Sequence, residues 1–272
     1  MNFYTKLRTI QRKNNSLLCV GLDPDVRRIP GHLLSQKDAV VEFCRSIIAE
    51  TGDLVCAYKL NLAFFETLGE AGWSTIHRVL EVVPPDVVTI GDGKRGDIGN
   101  TAEMYARALF SDFKFDAATV HPYMGQDSVQ PFVADADRGV FVLALTSNPG
   151  ARDLQYLNVN GKPLYERVIA RAKKWNSNGN IGIVVGATRS AHLKRIRHMV
   201  PSMPFLVPGV GAQGGDLRAA VRYGCDADGE MAVINASRSI LYASAGADFA
   251  DAARRSAMTM RDEMNTYREQ YF

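Results

Sequence analysis

Asp92, Lys94 and Asp97, with Arg95 among them, fall within the six residues that close "GDGKRGD", where a run of β-formers gives way to the amphipathic stretch "IGNTAEMYARALF". Two residues apart on an extended chain, Asp92 and Lys94 share a face and are expected to touch. The other apolar runs also end in polar residues that could join them. Asp23 follows the first in "GLDPD", and Lys59 and Asn61 end the second in "YKLN". His121 follows in "VHPYMG", Thr146, Ser147 and Asn148 in "LTSNPG", Gln213 in "PGVGAQGGD", and Ser237 and Arg238 in "INASRSI". Asp23, Lys59, Asp92 and Lys94 form an alternating array of carboxylates and ammonium groups, in which each charge is stabilised by opposite neighbours.

"PGVGAQGGD" and "ASRS" offer a second kind of chemistry. Glycines let a backbone approach an anion closely, and an arginine fork can clamp it, so these two loops are read as a phosphate cradle. Plainer readings stand beside each of these. Asp97 could cap the following helix, Asp92 and Lys94 could be a surface ion pair, and the glycines could serve only as turns. His121, followed by proline, is as well read as a structural histidine. Ser147 has no adjacent histidine or nucleophile elbow, so a hydrolytic triad is not expected. Arg95 alternates away from Lys94 as a solvated or subunit-contact residue, and Trp73 and Trp175 read as helix packing.

The elements that must position these groups are short apolar runs: "SLLCVGL", "LVCAYKL", "VVTIGD", "AATVH", "GVFVLALT", "NIGIVVGA", "PFLVPG" and "MAVINA". They are nearly continuous in Val, Ile, Leu and Ala, as parallel strands covered on both faces must be. Helical periodicity and caps predict helices over roughly 38–51, 72–82, 99–112, 125–137, 163–176, 188–199, 214–223 and 246–269. Eight βα units in one chain of 272 residues fit a single-domain α/β fold, a (β/α)₈ TIM barrel spanning 1–272. In that fold, catalytic groups lie at the C-terminal ends of the strands, which is where these polar residues stand.

Composition narrows the function classes. A formal charge of +3, with Lys and Arg scattered along the chain, lacks the dense basic patch of a nucleic-acid binder. Cys19, Cys44, Cys56 and Cys225 show no CxxC or metal-ligand spacing and read as buried, reduced thiols. "MNFYTKLRTIQRKNNS" has the pattern of a short amphipathic helix without the apolar core of a signal peptide. No apolar run nears the roughly 18 residues a membrane span needs. The expectation is a soluble, cytoplasmic protein with no membrane or nucleic-acid partner.

With "GLDPD", "YKLN", the D-x-K-x-x-D-I-x-x-T pattern of "DGKRGDIGNT", "SNPG", "PGVGAQGGD" and "ASRSI" in this order, almost the whole chain resembles the orotidine 5′-phosphate decarboxylase family. "GDGKRGDIGNT" and the long segment in "SNPGARDLQYLNVNGK" are most similar to its second bacterial type. The resemblance implies a homodimer with shared active sites, free of metal and cofactor, that converts orotidine 5′-phosphate to UMP and CO₂. It implies that Lys94 is the proton donor to C6, that Asp92 faces the substrate carboxylate, and that Asp23 and Lys59 hold the ribose hydroxyls and the charge network. It further implies that Ser147 and Gln213 contact the pyrimidine and phosphate, and that Ser237 and Arg238 bind the phosphate. Asn61 and Pro208 join the substrate contacts, and Asp97, Ile98 and Thr101 complete the partner subunit's site. The family often has His where Asn148 stands. Loss of CO₂ from C6 leaves a poorly delocalised carbanion, which a fixed ammonium could stabilise and then protonate.

Three rivals are distinguishable. A metal-dependent sugar-phosphate enzyme of the same barrel group would need an acidic residue where Lys59 stands, since an ammonium repels Mg²⁺. A Schiff-base aldolase needs a lysine that is nucleophilic, not one paired with carboxylates. A catalytically silent nucleotide-binding barrel has no need of the intact charged array.

Overall fold

Eight strands pair in parallel and in sequential order around a closed barrel: β1 (Leu18–Leu22), β2 (Ala57–Asn61), β3 (Val88–Arg95), β4 (Ala117–Val120), β5 (Gly139–Leu145), β6 (Ile181–Val185), β7 (Phe205–Pro208) and β8 (Ala232–Ala236). Each lies within the apolar run expected to form it, apart from short extensions at two C-terminal ends, because strands walled by side chains inside and helices outside leave no face for polar residues. The computed structural model describes residues 1–186, 190–210 and 216–272. The helices follow the predicted periodicity, among them Ala39–Thr51, Ala71–Leu80, Gln126–Val133, Leu164–Trp175 and Phe249–Tyr271. The expected helix over 99–112 divides into an α-helix, Gly99–Arg107, and one wider π turn, Ala108–Asp112.

The N-terminal helix, Phe3–Lys13, closes the N-terminal end of the barrel. Phe3 is fully buried, its ring edge-on to Phe141 with centroids 5.9 Å apart, and Gly139 leaves the space that ring fills. Gln11 donates to the Ala232 carbonyl at 2.7 Å and accepts the Met231 N–H at 2.9 Å, satisfying backbone groups where β8 begins. With that end packed shut, the open end is the one at which the strands finish.

All four cysteines are free and buried, and burial pushes their thiols up. Trp175 packs on the core as expected, whereas Trp73 is half exposed and stacks on Phe113. Among the described residues, no helix is long and apolar enough to cross a membrane.

Candidate active site

At the C-terminal ends of the strands a cavity of about 530 Å³ opens. Asp23, Lys59, Asn61, Asp92, Lys94, Pro208, Ser237 and Arg238, taken from five strand ends, all line it. Asp92 is its electrostatic centre. One carboxylate oxygen accepts from Lys59 Nζ at 2.9 Å, and the other from Lys94 Nζ at 2.8 Å. Asp23 Oδ1 lies 3.7 Å from Lys59 Nζ, so Lys59 sits between two carboxylates and Asp92 between two ammonium groups. Asp92 is 6% exposed and the Lys94 side chain about half exposed, so this ion pair is buried at its carboxylate end, unlike a pair lying wholly on the surface.

Burial alone would drive both Lys59 and Asp92 towards neutrality. For Lys59 the charges of Asp92 and Asp23 outweigh that and hold the ammonium above its ordinary value. For Asp92, Lys59 and Lys94 outweigh it and hold the carboxyl well below the usual range. Asp23 lines the cavity, and its buried Oδ1 makes no hydrogen bond among the described residues, only the longer 3.7 Å ion-pair contact with Lys59 Nζ.

The Asp92–Lys94 contact arises by a different route from the expected alternation. Lys94 has a φ of +43°, in the left-handed region, and the pairing of β3 with β4 slips between Gly91 and Arg95. Thr119 on β4 holds this kink. Its buried hydroxyl accepts the Lys94 N–H at 2.9 Å and donates to Asp92 Oδ1 at 2.7 Å, so one side chain fixes both the backbone of the lysine and the rotamer of the aspartate. In the run "AATVH" the expected site residue is His121, whereas the one that touches the array is Thr119, a polar residue two positions earlier in the same run. The His121 ring packs against Gly96, where any Cβ would lie 2.3 Å from Nε2.

Ser237 and Arg238 follow β8 at the start of the short helix Arg238–Leu241. Gly21 is required here, since a Cβ on it would lie 2.0 Å from Ser237 Oγ. Gly209, with φ +89°, turns the chain out of β7 beside Pro208. Gln213 lies outside the described residues. Asn61 lines the cavity while its Oδ1 caps the next helix through the Ala63 N–H at 3.3 Å.

The remaining expected residues stand apart from the cavity of this chain. Ser147 is half-buried, its backbone against Gly186, and Asn148 accepts from the Thr146 hydroxyl at 2.6 Å. Asp97 does not cap the helix. Ile98 occupies the N-cap, and among the described residues Asp97 accepts the Ile98 N–H alone, at 2.8 Å. Ile98 and Thr101 point outward, Ile98 being 56% exposed. Arg95, expected to be solvated or at a subunit contact, pairs instead with Glu66 of its own chain.

Residues 16–254 match the profile of the family described as "Orotidine 5'-phosphate decarboxylase / HUMPS family". The chain belongs to this family. It is 51% identical over 270 residues to an orotidine 5′-phosphate decarboxylase of Azoarcus sp., covering 98% of this chain and all of that one. It is 47% identical over 275 residues to one from Dehalococcoides mccartyi, with both chains fully covered. The solved structure of Leishmania donovani OMP decarboxylase superposes with a TM-score of 0.87 at 41% identity, over 99% of each chain. Within the family fold, the cavity occupies the end of the barrel at which α/β barrels place their chemistry.

Proposed function

We propose that the chain decarboxylates orotidine 5′-phosphate to UMP and CO₂, the last step of pyrimidine nucleotide synthesis, acting as a carboxy-lyase. The observation that carries this reading is the Lys59–Asp92–Lys94 chain, buried at Lys59 and Asp92 and open to the cavity at Lys94, beside Ser237 and Arg238. The C6–CO₂ bond breaks with its electron pair left on C6. The Lys94 ammonium, held 2.8 Å from Asp92, stabilises that charge and transfers a proton to it. Asp92 faces the departing carboxylate, and Asp23, Lys59 and Asn61 take the ribose and hold the network. Ser237 and Arg238 clamp the phosphate beside Pro208, while roles for Ser147 at the pyrimidine and Gln213 at the phosphate rest on the family resemblance alone. Binding energy from the phosphate, remote from the reacting carbon, is thereby used to fix the substrate against the array.

Lys59 separates this reading from the sugar-phosphate rival. A buried ammonium 2.9 Å from Asp92 stands where a Mg²⁺ ion would need an oxygen ligand. Among the described residues, no group of three His, Cys, Asp or Glu is placed to hold a metal ion. The position of Lys59 is the ground on which we read the reaction as metal- and cofactor-free. Asp97, Ile98 and Thr101 lie outside their own cavity, which supports a homodimer in which each subunit completes its partner's site. Four reduced thiols suit the cytoplasm.

The test is the fall in absorbance when EDTA-treated protein meets orotidine 5′-phosphate. Turnover in excess chelator is the expected result. Turnover lost on chelation and restored by Mg²⁺ would revive the metal-dependent rival, and no turnover in either condition would sink the assignment.

A further inference from the structure

Tyr242 stands one residue beyond the helix that begins with Arg238, and it lines the same cavity as Asp23 and Arg238. Its hydroxyl reaches across to the turn after β1. There it accepts the Asp25 N–H at 2.7 Å and donates to the Asp23 carbonyl at 2.9 Å. Both bonds are of good length, and they close the turn that carries the Asp23 carboxylate. On the other side, the Tyr242 N–H returns to the Arg238 carbonyl at 3.3 Å, tying the ring to the helix start. The ring is itself held firmly. Phe43 stacks on it with centroids 5.9 Å apart, and the Arg28 guanidinium lies 3.8 Å from its centroid. Burial pushes the phenol up, so it remains a donor at neutral pH.

We propose that Tyr242 is a positioning residue that couples the phosphate clamp at Arg238 to the Asp23 end of the charged array. A phosphate drawn onto Arg238 settles the Arg238–Leu241 helix, and through the Tyr242 hydroxyl the same movement fixes the Asp23–Asp25 turn. The inference rests on the proposed decarboxylase reading and deepens it. Asp23 and Arg238 are neighbours in function only if something rigid joins them, and the two hydrogen bonds of one hydroxyl are that joint.

The experiment is a pair of double-mutant cycles read as kcat/KM for orotidine 5′-phosphate. With Tyr242 intact, the losses caused by Asp23→Ala and Arg238→Ala are expected to be non-multiplicative by at least about fivefold, the lower end of ordinary coupling between sites. In the Tyr242→Phe background, which keeps the ring and deletes only the hydroxyl, the two losses are expected to multiply independently. Coupling that persists undiminished in Tyr242→Phe, or is absent from the wild type, overturns the proposal. A merely structural hydroxyl would lower the melting temperature and leave the coupling unchanged, so that outcome also overturns it. If Tyr242→Phe does not fold, Asp25→Pro compared with Asp25→Ala deletes the donor N–H at a φ of −82°, close to what proline accepts, and the same cycles are run there. A wild type without turnover tells against the decarboxylase reading itself, and is thus distinct from loss of coupling in an active enzyme.

Discussion

At the scale of single residues, charge explains most of what the site can do. On the proposed reading, Arg238, which lines the cavity, offers the phosphate a planar fork, a charge-assisted contact worth about 1.5–3 kcal/mol. Arg238→Ala is therefore expected to weaken UMP binding roughly ten- to a hundredfold while leaving uridine almost unaffected. Titration calorimetry with both ligands checks this, and equal losses for the two would make Arg238 structural. Asp92 and Lys59 set the pH range. The Asp92 carboxyl is depressed, so its contribution to stability is present above the pH where an unfolded aspartate titrates, about 3.9, and is lost as pH falls through the lower folded value. Lys59 is raised, so its contribution is complete below about pH 10.4 and is lost as pH rises through the higher folded value. Neither group should change charge between about pH 5 and 9. Melting temperatures followed across that range should show no transition that Asp92→Asn removes.

The decisive element is the end of β3. Lys94 occupies a left-handed conformation that glycine adopts freely and other residues adopt at a cost of about 1–3 kcal/mol. Removing the side chain also removes the ion pair with Asp92, so the informative comparison is between two variants that both lack it. Lys94→Gly should melt about 2–4 °C above Lys94→Ala, on the order of 1 kcal/mol, although both are nearly inactive. Melting curves measured side by side decide it, and an alanine variant at least as stable would show that the kink stores no strain. The kink has a functional use. A regular strand would carry residue 94 onwards along the barrel wall, whereas the turn, held by Thr119, returns the ammonium to Asp92.

For the whole molecule, the question is what completes the cavity. Asp97, Ile98 and Thr101 do not line the cavity of their own chain, and Ile98 and Thr101 are exposed, as a two-fold partner's contribution would require. Lys94→Ala and Asp97→Ala should each be nearly inactive alone. Once their subunits exchange, each heterodimer carries one site with both lesions and one with neither. Equal random mixing makes about half the dimers heterodimers, each with one intact site of two, so activity should recover to about a quarter of wild type. Verified exchange without recovery would place Asp97 in its own chain's site.

Much of this was legible in the chain itself, for a physical reason. A strand buried on both faces must be apolar throughout, so β1 to β8 stand out as uninterrupted runs, and a polar residue at such a run's end marks the open mouth. Asp23, Lys59, Asp92, Lys94, Ser237 and Arg238 could all be found in that way. What only the tertiary structure decided depends on contacts between segments distant in sequence. The role of Thr119 follows from the slipped register between β3 and β4, and that of Tyr242 from a hydroxyl meeting a turn more than two hundred residues away. The left-handed turn at Lys94 is invisible to periodicity, which assumes a regular strand. The placing of Asp97, Ile98 and Thr101 outside the cavity depends on how the chain leaves β3 and enters the helix Gly99–Arg107, because composition records which groups a chain carries and packing alone determines which of them meet.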